Sequence, residues 1–352
     1  MPLDHRLELT ILASGAHAVA LARRGADVAI RRVKIDKKLP QWKAFRQRLM
    51  DQLRGNVLQK LTSEEIEAFG RELFGLFVKG GVRDLYNRLT PRDYVSWKVL
   101  TDDPDISELP WEFLQEPKGL CPRNTRCVVR ILQTVGLDPL PPLPRGALTR
   151  ALLVAAEPVG LRNVGWDAIE GRWRKEYQSQ KIPLELEVLE GADPGSLLEQ
   201  LRTHPFDVVH FSCHGDASGG AGRLVLINRK TKAADYVKAR DIGRVLAGRN
   251  IRLVVLSACE TSVPGAPHTT FTNVAETLIQ LGIPAVVANQ APVKAPSMAV
   301  FVGALYKELV SSGNIDRAMA EARLALSIEL RDEPEWGIPT LHRLYGGSQL
   351  YE

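Results

Sequence analysis

Cysteine is scarce in this chain: Cys121, Cys127, Cys213 and Cys259 are the only four in 352 residues. They are too few and too scattered for a disulfide scaffold, which points to a reducing compartment and to free thiols. Long apolar runs are missing as well. No stretch reaches the roughly 18 apolar residues needed to cross a bilayer as a helix. The first ten residues carry Asp4, His5, Arg6 and Glu8 in place of the apolar core of a signal peptide. The expectation is a cytoplasmic protein with no membrane partner. No charge sign dominates: 46 Lys and Arg against 41 Asp and Glu leave +5, which permits an anionic partner without implying nucleic acid. No internal repeat is visible. What remains, 45% hydrophobic and 25% charged residues, is the composition of a folded globular chain.

Two kinds of text meet near residue 147. Before it, Leu7–Leu12 and Asp27–Ile35 alternate apolar and polar residues and read as a hairpin around Arg23-Arg24-Gly25. Thr62 and Glu65 match a capping box, and Ile66, Phe69, Leu73, Phe74, Phe77 and Val78 recur at helical spacing until Gly80-Gly81. The proline-rich stretch Leu137–Pro144 reads as an extended connector. This predicts an amino-terminal α+β subdomain over 1–146 and a second domain over 147–352.

In the second part strands and helices alternate. Ala151–Ala156, Leu184–Leu189, Asp207–Ser212, Arg223–Asn228, Ile251–Ser257 and Ala285–Ala288 read as strands. Helices fall at Pro194–Thr203 and Asp241–Leu246, between Asn273 (with Glu276, a second capping box) and Gly282, and at Ser297–Ser311 and Ile315–Leu330. Such alternation predicts an α/β fold with a mainly parallel sheet flanked by helices.

In such sheets reactive groups gather beyond the carboxyl ends of the strands. Two strands here run into them: Asp207–Cys213 into His214-Gly215-Asp216, and Ile251–Ala258 into Cys259-Glu260-Thr261. If these strands are neighbours, His214 and Cys259 meet, and an imidazole beside a thiol favours the thiolate nucleophile. Gly215 has no Cβ to obstruct a substrate carbonyl, so its amide and that of Cys259 suit an oxyanion hole. Cys213, one residue before His214, is expected in the core, and mid-strand His210 is expected to be structural. Cys121 and Cys127 do not match a zinc-ligand spacing.

His210-Phe-Ser-Cys-His-Gly215 followed by Leu253-Val-Val-Leu-Ser-Ala-Cys-Glu-Thr261 resembles the paired signature of CHAT domains, caspase-like cysteine peptidases related to separase. Leu109-Pro-Trp-Glu-Phe-Leu114 resembles the family's Pro-Trp-Glu segment. Gly282–Gln290 resembles the strand after the catalytic cysteine. Ile315–Leu326 resembles the helix with an Ala-x-x-x-Ala-Arg pattern, and Glu335–Leu341 the closing Trp-x-x-Pro segment. The resemblance covers about residues 100 to 350 in order.

It implies a caspase-like fold and hydrolysis of peptide bonds by Cys259, with His214 as general base and acid, the amides of Gly215 and Cys259 as oxyanion site, and no metal or organic cofactor. Ser257 matches a position that lines the primary specificity pocket in caspase-like peptidases, and Asp216, Glu260 and Asn289 are further wall candidates. An Asp216 carboxylate facing the cleft would favour Lys or Arg at the cut. After Thr261 the family's glycine-rich continuation is replaced by Ser-Val-Pro-Gly-Ala-Pro-His-Thr-Thr-Phe, with His268 expected to be exposed, and residues 1 to 100 show no repeat of the period of the family's frequent helical-repeat arrays. The family context implies a protein substrate and a regulated bacterial effector of defence or programmed death, held inactive until a partner protein or signal orders its loops. The alternative is a non-catalytic scaffold that binds a partner through the basic stretch Arg23–Arg48.

Overall fold

The structure is a computed structural model that describes residues 6–53, 60–90, 92–116, 125–132, 137, 140–144, 146–178, 183–216, 222–257, 259–260, 271–330, 333–346 and 348–351. Two compact units divide the chain. One comprises Met1–Ile131 and Met319–Gly337, the other Leu132–Ala318 and Ile338–Glu352.

In the first unit, β1 (Arg6–Ser14), β2 (His17–Arg24) and β3 (Asp27–Lys34) form an antiparallel meander. The hairpin expected from the sequence omitted the middle strand: β1 pairs with His17–Arg24, and β3 joins on its far side. The omission has a physical cause. The inward residues of β2 are Ala18, Ala20 and Ala22, too weakly apolar to announce a strand, yet all are buried. Gly15 and Gly25 make the tight turns with φ of 54° and 57°, a region that costs other residues strain. After α1 (Leu39–Leu53), helix α2 (Ser63–Phe77) carries the Thr62–Glu65 capping box in both directions and buries Phe69, Leu73, Phe74 and Phe77. Next come α3 (Gly81–Asn87), β4 (Tyr94–Thr101), α4 (Pro104–Ser107) and β5 (Arg126–Leu132). β4 runs parallel between β1 and β5, completing the order β3-β2-β1-β4-β5.

In the second unit, β6 (Thr149–Ala155) is followed by α5 (Trp166–Gln178), β7 (Leu184–Glu190), α6 (Pro194–Thr203) and β8 (Val208–Ser212). Three short strands, β9 (His214–Asp216), β10 (Arg223–Ile227) and β11 (Ala234–Lys238), precede α7 (Ala239–Leu246). Then follow β12 (Leu253–Leu256), β13 (Cys259–Glu260), α8 (Thr272–Gln280), β14 (Ala285–Asn289), α9 (Ala295–Ser312), α10 (Ile315–Glu329) and β15 (Pro339–Leu344). From Met319 onward, α10 belongs to the first unit.

Strands β7, β6, β8, β12 and β14 are parallel neighbours in that order, and β15 pairs antiparallel with β14. Strands β8, β12 and β14 are wholly buried, as their mainly apolar sequences require when helices cover both faces. The α/β fold with a mainly parallel sheet flanked by helices is the one expected. The core gathers Leu152, Val154, Phe211, Val254, Leu256, Leu278 and Val286, with Cys213 among them as predicted.

One local expectation fails. Asn273 does not cap α8: Phe271 occupies the cap position in αR geometry and no side chain caps the helix. With residue 271 already helical, Asn273 lies inside the first turn, where its side chain cannot receive the free amides. No helix among the described residues is long and apolar enough to cross a membrane.

Candidate active site

The carboxyl ends of β6, β8 and β12 supply the pieces. Strands β8 and β12 are parallel neighbours, and the ladder continues past β12 because the Ser257 N–H donates to the Phe211 carbonyl at 2.9 Å. Both chains then leave the main sheet and pair again in a smaller one of order β11-β10-β9-β13, where Cys259 is in register with His214 and Glu260 with Gly215. Adjacent strands lie about 4.8 Å apart. Residues 214 and 259, separated by 45 positions in the chain, thus occupy side-by-side positions at one end of the sheet.

His214 is only 4% exposed, and its ring is fixed from one side. Nε2 lies 2.6 Å from the carbonyl oxygen of Arg162, in the loop that follows β6. A carbonyl can only accept, so Nε2 carries the proton and donates. In the neutral ring, Nδ1 then holds the free lone pair. Nδ1 is buried and has no hydrogen-bond partner among the described residues. One ring nitrogen is thus anchored and the other is left without a partner among the described residues. The Arg162 loop is itself held, since the Val164 N–H donates to Glu157 Oε1 at 3.1 Å. Sequence reading passed over Arg162 because a backbone carbonyl leaves no residue-type signature.

The other expected residues are distributed as follows. Gly215 sits against the ring of Phe271: a Cβ placed on it would lie 1.5 Å from Cζ. The space at this glycine is therefore taken up by Phe271. Asp216 is registered opposite Arg223 and bonds its guanidinium, which also lies 5.1 Å from the centroid of the Tyr236 ring. Its carboxylate has a cationic partner within the small sheet. Ser257 is buried, and its Oγ lies 2.5 Å from Nε2 of His210. Nδ1 of that ring lies 3.4 Å from the Tyr306 hydroxyl, and Tyr306 stacks on Trp173 at 4.4 Å. Complete burial lowers the His210 pKa to about 3, so the ring is neutral, in line with the structural part expected of it. Asn289 is buried at the carboxyl end of β14, its Nδ2 3.8 Å from the Met298 sulfur. Glu260 is in register beside Gly215. Cys127 is buried in β5, whereas Cys121, Thr261 and His268 lie outside the described residues.

Three of the motif segments converge in the first unit. Glu112 receives two hydrogen bonds from Arg130, at 3.2 and 2.8 Å, and Arg323 approaches to 3.8 Å. Trp111 donates to the Ile106 carbonyl at 2.8 Å. Phe113 packs on Trp336 and covers Gly337. The Pro-Trp-Glu, Ala-x-x-x-Ala-Arg and Trp-x-x-Pro segments are thus one buried structural knot, in which two cations neutralise one carboxylate.

The mainly parallel α/β sheet flanked by helices defines a class by its fold, which is shared with a solved protease structure. A solved structure described as "Structure of Protease" aligns with 97% of this chain and 78% of its own, at TM-score 0.51 and 11% identity. The separase–securin complex of Saccharomyces cerevisiae aligns with 97% of this chain at TM-score 0.48 and 9% identity, and the chain spans about 30% of the separase length. No curated protein sequence matches. The CHAT domain family matches residues 68–336, and the chain belongs to that family.

Proposed function

We propose that the chain is a caspase-like cysteine endopeptidase acting inside the cell as a regulated effector of defence or programmed death. The observation that carries the reading is the register of Cys259 beside His214, whose Nδ1 is left free because Nε2 is bound by the Arg162 carbonyl. In the proposed reaction Nδ1 takes the thiol proton and the Cys259 thiolate attacks the peptide carbonyl. The amides of Gly215 and Cys259 receive the oxyanion. His214 then gives the proton to the leaving amine, and water cleaves the thioester with His214 as base. Ser257, Asp216, Glu260 and Asn289 are the proposed surroundings of the substrate side chain; the Arg223 pairing of Asp216 argues against a bare anionic pocket.

Burial of His214 and the Phe271 ring packed on the face of Gly215 support regulation, since both restrict access to this strand end. The test is cleavage of co-expressed candidate proteins together with labelling by a thiol-reactive peptide probe. Cys259→Ala and His214→Ala are expected to abolish both. Cleavage that survives Cys259→Ala removes Cys259 from the reaction.

A further inference from the structure

Ten basic residues crowd positions 23–48, and their partners sort them into two sets. Arg24 pairs with Asp93, Lys38 with Glu72, Lys43 with Asp105, Arg46 with Glu108 and Arg48 with Glu65. Arg31 donates to the Leu76 carbonyl. Arg23, Arg32, Lys34 and Lys37 have no ion-pair partner among the described residues, and Arg23 bonds only the nearby Gly25 carbonyl.

Three of these four lie on the outer face of the meander. Register aligns Glu8, Arg23 and Val28 in one row, Thr10, Leu21 and Ile30 in the next, then Leu12, Val19 and Arg32, then Ser14, His17 and Lys34. The opposite face, with Leu7, Leu9, Ile11, Ala18 and Ala20, is buried. On the outer face Leu12 is 43% exposed, Val28 56% and Ile30 67%. Apolar groups of this size on an open sheet face are uncommon in a protein that acts alone.

Strand β3 is also the terminal strand of its sheet and pairs only with β2. The two-residue turn Gly25-Ala26 closes on Arg24 and Asp27. Alternation from that closing pair directs the N–H and C=O groups of Asp27, Ala29, Arg31 and Val33 toward β2. It directs those of Val28, Ile30, Arg32 and Lys34 away from the sheet. Among the described residues these outward groups have no hydrogen-bond partner.

We infer that β3 takes up an extended, acidic segment of a partner protein as an added strand. Backbone pairing would supply affinity and the outer face specificity. The residues of the incoming strand that share this face are apolar beside Val28 and Ile30 and acidic beside Arg32 and Lys34. A second copy fits poorly, because pairing β3 with itself crowds Arg32 and Lys34 of two chains onto one small surface. Nucleic acid would use the cations but neither the apolar rows nor the open backbone edge.

The test uses the full chain and a capped nine-residue peptide with Val, Val, Glu and Glu at alternate positions and Thr between. Binding is read by fluorescence anisotropy, and hydrogen exchange reads the amides of Val28, Ile30, Arg32 and Lys34. The expected result is protection of those four amides, with binding weakened at least roughly tenfold by the Arg32→Glu, Lys34→Glu double variant or by Lys in place of Glu in the peptide. Both substitutions are at exposed positions, and unchanged protection of the inward amides of Ala29 and Arg31 verifies that the meander is intact. The proposal is overturned by absent peptide binding, by equal binding of the Lys peptide, by binding the variant does not weaken, or by binding without protection at β3. It is equally overturned if an oligo-dT strand binds this face more tightly than the peptide, or if the chain alone dimerises with β3 protected.

Discussion

Acidification is expected to weaken the second unit through one buried ring. His210 is fully buried between β12 and α9, bonded to Ser257 and Tyr306, and burial lowers its pKa from 6.5 to about 3. Tyr306, whose own pKa is raised by burial, remains uncharged across this range. The unfolded chain takes up a proton on this histidine near pH 6.5, while the folded chain does not until about pH 3. The stabilisation is therefore complete above pH 6.5 and falls as pH drops through the window between the two values. The slope is about 1.4 kcal/mol per pH unit. From pH 7 to pH 5 the loss is about 2 kcal/mol from this group alone. The comparison protein is His210→Phe with Ser257→Ala, which removes donor and acceptor together and leaves no unpaired serine hydroxyl. The stranded Tyr306 hydroxyl costs the same at both pH values and cancels. Urea unfolding at pH 7 and pH 5 should show wild type losing about 2 kcal/mol more than the double variant. Equal losses in the two proteins would refute the assignment of a neutral, desolvated His210.

Other outcomes follow from the same geometry. Glu112→Leu strands the Arg130 and Arg323 guanidinium groups in the interior and should destabilise the first unit by about 3–5 kcal/mol, read as a lowered unfolding midpoint. A loss below about 1 kcal/mol would mean that the arginines find other partners. Phe271→Ala uncovers Gly215 and should raise the rate at which a thiol-reactive peptide probe labels Cys259; an unchanged rate removes Phe271 as an obstacle. Gly215→Ala drives a methyl into the Phe271 ring and should cost about 1–3 kcal/mol by chemical denaturation. In a Phe271→Ala background the same substitution should cost much less, because the obstructing ring is gone.

The architecture of the second unit was largely legible in the sequence. Parallel strands buried on both faces are mainly apolar, and β6, β8, β12 and β14 are marked by such runs. Cys213 could be assigned to the core, and the Thr62–Glu65 cap could be read directly because all its atoms lie within one turn. Strand β2 was less legible, since its inward face is alanine, as was α8, whose start is set by the backbone of Phe271.

Local pattern alone thus determined the parallel strands of the second unit and that a histidine and a cysteine end two of them, because hydrophobic periodicity depends only on near neighbours in the chain. Register between β9 and β13, the Arg162 carbonyl that selects the free nitrogen of His214, and the Phe271 ring on Gly215 were decided by tertiary structure. The same holds for which of ten clustered cations remain unpaired. Each depends on groups far apart in the chain, and in two cases on backbone atoms that every residue possesses, so no residue type could announce them.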